Sequence, residues 1–143
     1  MKKNSLTAVL LILKLFSFNN GLISEENIIF FYPAFPYYHK NHLNLIKEFD
    51  LFCTNSKKSS KLILTISEFE FSKFRFHNDN VICTDRISYQ DTLHLYEFVD
   101  YLIFPSISES YGMPLIESKI NNIKIISSNL EYVKEVCKPC LLY

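Results

Sequence analysis

Only two glycines, Gly21 and Gly112, occur in the 143 residues. That scarcity excludes a glycine-rich dinucleotide fingerprint and a phosphate-binding P-loop, each of which needs several glycines close together. Charge of one sign is also lacking. The 15 basic side chains balance 15 acidic ones for a formal net charge of zero, so the chain has no basic field of the kind a nucleic-acid binder needs, and no nucleic-acid partner is expected. No Asp-x-Asp pair occurs, and Cys53, Cys83 and the histidines His39, His42, His77 and His94 show no metal-ligand spacing. The four cysteines lack the paired spacing of a disulfide framework, which fits a reducing cytoplasm. Cys137-Lys138-Pro139-Cys140 is a lone C-x-x-C behind a predicted helix, where a redox pair needs a strand before it and a helix after it. That context is lacking, so the pair is assigned no redox role.

What is present is apolar and aromatic. At 48% hydrophobic and 15% aromatic residues the chain can bury a real core and is not a disordered one. Its length suits one domain, on an allowance of ~100–200 residues each. Met1–Ser24 is read apart from that domain. Lys2 and Lys3 before the apolar Leu6–Leu13 resemble a secretory signal, but Lys14 interrupts the run and no small-residue cleavage pattern follows. The run is also too short to span a bilayer. An amphipathic or buried helix leading into the domain is the other reading, so residues 1–27 are set off as an N-terminal apolar segment and 28–143 as the domain.

Within that domain, strands and helices alternate. Ile28–Tyr32 reads as a buried strand ended by Pro33, and Asn41 begins a helix with Leu43, Leu45, Ile46, Phe49 and Phe52 on its apolar positions. Lys61–Ile66 is the second strand. The alternation in Glu68–Phe76 is compatible with an edge strand but is read as an irregular, aromatic-anchored connection. Val81–Cys83 is a short strand, and Ser88 or Asp91 caps a helix running to about Val99. Tyr101–Phe104 and Lys124–Ser127 are further strands. The order predicts an α/β fold, a Rossmann-like parallel sheet with helices on both faces.

The chemistry concentrates between the last two of those strands. Gly112 permits a tight turn, and Pro114 stands in the first turn of a helix, where its missing amide is not needed. Amides at a helix start, at the positive end of the dipole, favour phosphate. The carboxylates Glu109 and Glu117 flank it with seven residues between them. A carboxylate accepts hydrogen bonds from a pair of neighbouring hydroxyls, so the combination suits a sugar nucleotide. The simpler account of Glu117, a favourable charge near a helix start, leaves Glu109 unexplained.

The string P-S-x-x-E-S-Y-G-M-P-L-I-E, Pro105 to Glu117, resembles the donor-site signature of the retaining family 4 (group 1) glycosyltransferases, with its Glu-x7-Glu motif. The resemblance extends from about Ile28 to Leu142 and includes His39-Lys40-Asn41, similar to the family's Lys-Asn or Lys-Gly pair. It implies the donor-binding C-terminal domain of a two-domain GT-B enzyme, incomplete at its C-terminal end, with residues 1–27 as the remnant of a linker. It also implies transfer of a sugar from a nucleotide-sugar donor to a saccharide or lipid-linked acceptor. On that basis Glu109 is the candidate catalytic residue, holding the transferred sugar. Lys40, Ser106, Tyr111, Gly112, Met113 and Glu117 are candidate donor-binding residues, with Lys40 on the diphosphate and Glu117 on the ribose. No metal and no cofactor is expected. A separately encoded N-terminal acceptor domain and a membrane surface are the further partners this reading allows. A non-catalytic remnant that binds a nucleotide or a partner is the alternative. The sequence departs from the family at several points. Ala34 and Phe35 stand where an arginine clamp is common, Thr84 or Asp85 replaces a glycine, and Asn122-Ile123-Lys124 replaces Gly-x-Pro.

Overall fold

The computed structural model describes residues 27–136 and 141–142. The expectations for Met1–Ser24 and for the Cys137 and Cys140 pair lie outside the described residues. In chain order the elements are β1 (Ile28–Tyr32), a 3-10 turn (Tyr38–Lys40), α1 (His42–Asn55), β2 (Ser60–Leu64), α2 (Glu68–Ser72), β3 (Val81–Cys83), α3 (Tyr89–Leu95), β4 (Tyr101–Phe104), α4 (Met113–Ile120), β5 (Lys124–Ser127), α5 (Glu131–Val136) and β6 (Leu141–Leu142).

The strands form one parallel sheet in the order β3-β2-β1-β4-β5-β6. The chain winds outward from β1 to β3, returns to β4 on the other side of β1, and winds outward again. Because crossovers between parallel strands are right-handed, that reversal puts helices on both faces. The aromatic residues of β1 record it. Phe30 packs its ring against Phe49 and Phe52 of α1, at 5.9 and 5.7 Å between centroids. Its neighbour Phe31, pointing to the other face, meets Tyr96 at the end of α3 at 5.4 Å. Tyr32 turns back toward α1 and lies 4.9 Å from His42. All three β1 aromatics are buried, with Leu62, Ile63, Leu64, Leu102 and Phe104 beside them. Strands covered on both faces read as the near-continuous apolar runs seen in the sequence.

The second strand ends at Leu64, two residues short of the expected Ile66, and two further elements differ more. Glu68–Phe76 is neither strand nor wholly irregular, since it opens with the short helix α2. Ser67 accepts from the Glu70 amide at 3.1 Å, and Glu70 accepts from the Ser67 amide at 2.9 Å. This reciprocal box satisfies donors at a helix start and outweighs the alternating pattern. Phe71 is thereby buried while Phe69 is exposed. The helix after β3 ends at Leu95, not near Val99. Its capping residue is Ser88, with Asp91 as the returning partner. Beyond Leu95 the hydrogen bonds shorten to i→i+3, Glu97 to His94 and Phe98 to Leu95, so the chain leaves the α-helix in tight turns.

Two of the departures from the family pattern, Asp85 and Asn122, have positive φ of 61° and 57°, and Asn41 of the matching Lys-Asn pair has φ of 60°. Asn and Asp are the residues other than glycine that enter the left-handed region most readily, so these loops keep a glycine-like turn without glycine.

Candidate functional site

The sheet order creates a switch point between β1 and β4, whose C-terminal loops leave in opposite directions. A crevice at that place is where open parallel sheets bind ligands. Residues 33–41 follow β1 and residues 105–112 follow β4, and the two loops are tied together. The Ile107 amide donates to the His39 carbonyl at 2.9 Å, and Asn41 Nδ2 donates to the Pro105 carbonyl at 3.2 Å. The Tyr32 hydroxyl donates to the Lys40 carbonyl at 2.9 Å and lies 2.7 Å from Ser106 Oγ. With its single proton on Lys40, Tyr32 accepts from Ser106. These ties bring Lys40 Nζ onto Glu109 Oε1 as a hydrogen-bonded ion pair. The structure thus joins two of the sequence-predicted residues directly.

Ser106 lies inside the protein. It is fully buried, its hydroxyl is engaged by Tyr32, and its carbonyl accepts from Ser128 Oγ at 2.8 Å and Tyr132 Oη at 3.3 Å. It anchors the loop. Tyr111 is exposed on the same loop. Gly112 has φ of 64° immediately before α4, and an added Cβ would stand 3.0 Å from Leu115 Cδ1. Its place therefore needs both the left-handed turn and the missing side chain. Met113 and Pro114 follow as the first two residues of α4.

Glu117 sits one turn further along α4, 8% exposed, and accepts a hydrogen bond of 3.2 Å from Tyr96 Oη. Burial, reinforced by the Glu117 charge, pushes the Tyr96 phenol far above its ordinary pKa and keeps it a donor. Glu117, Met113 and Pro114 line a crevice of about 230 Å³. Its other walls are Pro33, Ala34 and Phe35 after β1, Thr65 after β2, Arg86 and Ile87 after β3, and Tyr89 and Thr92 of α3. Arg86 lies over the Phe35 ring at 5.0 Å and reaches Glu70 at 3.9 Å. Sequence reasoning did not single out Thr65, Arg86, Ile87, Tyr89 or Thr92. Their shared signal is position just past strand ends or at a helix start, which gains meaning once the strand order is known. Of the predicted residues, Glu117 and Met113 line this crevice, while Lys40 and Glu109 do not and form their pair on the loops after β1 and β4.

Among the described residues, no group of three or more His, Cys, Asp or Glu is placed to hold a metal ion, and no helix is long and apolar enough to cross a membrane.

A doubly wound parallel sheet with a crevice at its switch point, one carboxylate on the loop after β4 and a second on the following helix defines a Rossmann-like domain of the kind found in GT-B enzymes. The chain belongs to the glycosyl transferases group 1 family, which it matches over residues 14–140. Solved structures share the fold. The α,α-trehalose 6-phosphate synthase of Burkholderia multivorans superposes with a TM-score of 0.66 at 10% identity, over 98% of this chain and 38% of its own. The sucrose-phosphate synthase of Thermosynechococcus elongatus gives 0.65 at 17% identity, over 96% and 35%. The C-terminal domain of a group 1 family glycosyl transferase from Francisella tularensis gives 0.60 at 13% identity, over 84% and 68%. This chain thus spans little more than a third of the two synthases. No curated protein sequence matches it.

Proposed function

We propose that the domain binds a nucleotide-sugar donor and forms the donor wall of a retaining glycosyltransferase. The observation that carries this reading is the division of the two signature carboxylates. Glu117 faces the crevice, held by Tyr96, and Glu109 stands with Lys40 on the loops after β1 and β4. The crevice, about 230 Å³, is smaller than the ~300–1,000 Å³ of sites that enclose a whole drug-sized ligand. It suits the nucleoside alone, with Glu117 accepting from the ribose diol. The diphosphate then passes the helix start at Gly112 and Met113 toward Lys40, and the sugar reaches Glu109.

In this reading the ammonium of Lys40 and the first amides of α4 stabilise the departing diphosphate, and no metal is assigned a role. Glu109 orients the sugar by accepting from its hydroxyls. The acceptor, a saccharide or a lipid-linked glycan, is held by a second domain, in the same polypeptide or separately encoded. A lipid-linked acceptor would place the protein at the cytoplasmic face of a membrane. The family match and the nucleotide-sugar enzymes among its structural relatives support the donor; polysaccharide or glycan biosynthesis is the corresponding role.

The test is calorimetric titration with uridine, guanosine and adenosine diphosphates and with their glucose esters, for the wild-type chain and Glu117→Ala. One of the nucleotides should bind the wild type, and the variant should lose about 1.5–3 kcal/mol of that affinity, the worth of charge-assisted hydrogen bonds. An unchanged dissociation constant would remove the ribose assignment. Binding of a nucleotide with no preference for its sugar ester would favour the non-catalytic alternative.

A further inference from the structure

We propose that Glu109 occupies the place of a donor phosphate on Lys40, and that this contact biases the site against bare nucleoside diphosphates and toward sugar-bearing ones. The inference rests on the sugar-nucleotide reading above. The Lys40 and Glu109 side chains are only 19% and 12% exposed. They are therefore unlike the solvated surface pairs that contribute almost nothing. The loops that carry them are held in register by the bonds from Ile107 to His39, from Asn41 to Pro105 and from Tyr32 to Lys40, so the pair does not depend on long side chains meeting by chance.

The neighbouring phenols do not replace Lys40. Tyr32 gives its proton to the Lys40 carbonyl, and Tyr132 gives its proton to the Ser106 carbonyl. Both feel the Glu109 charge, which adds to burial in raising their pKa. Lys40 is thus the cation on which this carboxylate relies.

A diphosphate that takes the Lys40 ammonium leaves Glu109 without its counter-charge and brings a like charge beside it, which is costly in a half-buried setting. A donor compensates, because the hydroxyls of its sugar give hydrogen bonds to the freed carboxylate. A bare diphosphate has no such group to offer. Glu109 therefore acts as a specificity residue, and after transfer the same repulsion hastens loss of the spent nucleotide.

The experiment titrates the full 143-residue chain with uridine, guanosine and adenosine diphosphates and with their glucose esters, in wild type and in Glu109→Gln. The amide keeps the size of the side chain and removes its charge. Glu109→Gln should bind the preferred bare diphosphate about tenfold more tightly, equivalent to ~1.4 kcal/mol, and its ester no more tightly. Diphosphate binding that is unchanged or weaker in Glu109→Gln overturns the inference and leaves the sugar-nucleotide reading standing. If neither protein binds any of the six ligands, that reading falls and the inference falls with it. Should Glu109→Gln not fold, Glu109→Asp, which draws the carboxylate back from Lys40, should shift the same ratio in the same direction by less, and no shift overturns the proposal.

Discussion

Tyr96 donates a hydrogen bond of 3.2 Å to Glu117, from the turn after α3 to the middle of α4. The contact spans 21 positions of the sequence between two buried residues and holds the carboxylate against the crevice wall. It links the packing of the helices on one face of the sheet to the chemistry proposed at its edge, since the same Tyr96 ring packs on Phe31 of the central strand.

Tyr96→Phe keeps that ring and removes only the hydroxyl. The variant should remain folded and bind nucleotide more weakly, with a loss of ~0.5–1.5 kcal/mol from the freed carboxylate, less than for Glu117→Ala. Calorimetry and a thermal melt on the same sample separate the two effects. Wild-type affinity in Tyr96→Phe would show that Glu117 is oriented by its helix alone.

The 143-residue polypeptide taken by itself should bind donor and fail to transfer sugar to an acceptor. Holding two reactants together in the right geometry is worth roughly 7–11 kcal/mol, and the described residues contribute one wall of a cleft. Product analysis with saccharide and lipid-linked acceptors should find slow donor hydrolysis at most. Robust glycoside formation by the polypeptide alone would refute this expectation, whereas transfer appearing on mixing with a separately encoded acceptor domain would support a split enzyme.

His42 predicts a pH dependence of stability. It is 2% exposed, lies between the Tyr32 and Phe74 rings, and neither ring nitrogen makes a hydrogen bond. Burial lowers its pKa from 6.5 to about 4; the nearby Ala34 backbone, short of hydrogen-bond geometry, offsets part of this, and Lys40 and Glu70 act in opposite senses. The unfolded chain therefore takes up a proton on His42 before the folded one does. The contribution is fully present above pH 6.5 and lost progressively as pH falls to about 4, amounting to ~3 kcal/mol at about 1.4 kcal/mol per pKa unit. Urea unfolding midpoints across that range should fall more steeply in wild type than in His42→Phe. Parallel curves would exclude His42 as the source.

The left-handed turns make separable predictions. Gly112→Ala should cost ~1–2 kcal/mol from its positive φ alone, with the Leu115 contact at 3.0 Å adding to it. Asn122→Ala should cost about 1 kcal/mol for the same conformational reason, while Asn122→Gly should stay within ~0.5 kcal/mol of wild type. Thermal or denaturant melts decide it. Equal stability of Asn122→Ala and Asn122→Gly would mean that this turn relaxes out of the left-handed region.

The sequence by itself determined the order of strands and helices, the α/β class and the signature from Pro105 to Glu117. Buried strands, helix caps and turn residues are encoded within a few neighbouring positions, so Val81–Cys83, Tyr101–Phe104 and Lys124–Ser127 could be read directly. Even there, local signals competed: in Glu68–Phe76 the alternation suggested an extended segment, and the Ser67 and Glu70 capping box prevailed. Only the tertiary structure decided which strand lies beside which, and with it the company each candidate residue keeps. Lys40 and Glu109 are 69 positions apart, and nothing local to either marks the other as its partner. Their pairing depends on β1 and β4 lying side by side with both loops at one end. The same adjacency turned Ser106 inward to Tyr32, and the parallel placement of β2 and β3 on the other side of β1 brought Thr65, Arg86 and Tyr89 to the crevice, because contacts across crossovers follow from the winding of the chain and not from the residues next to them in it.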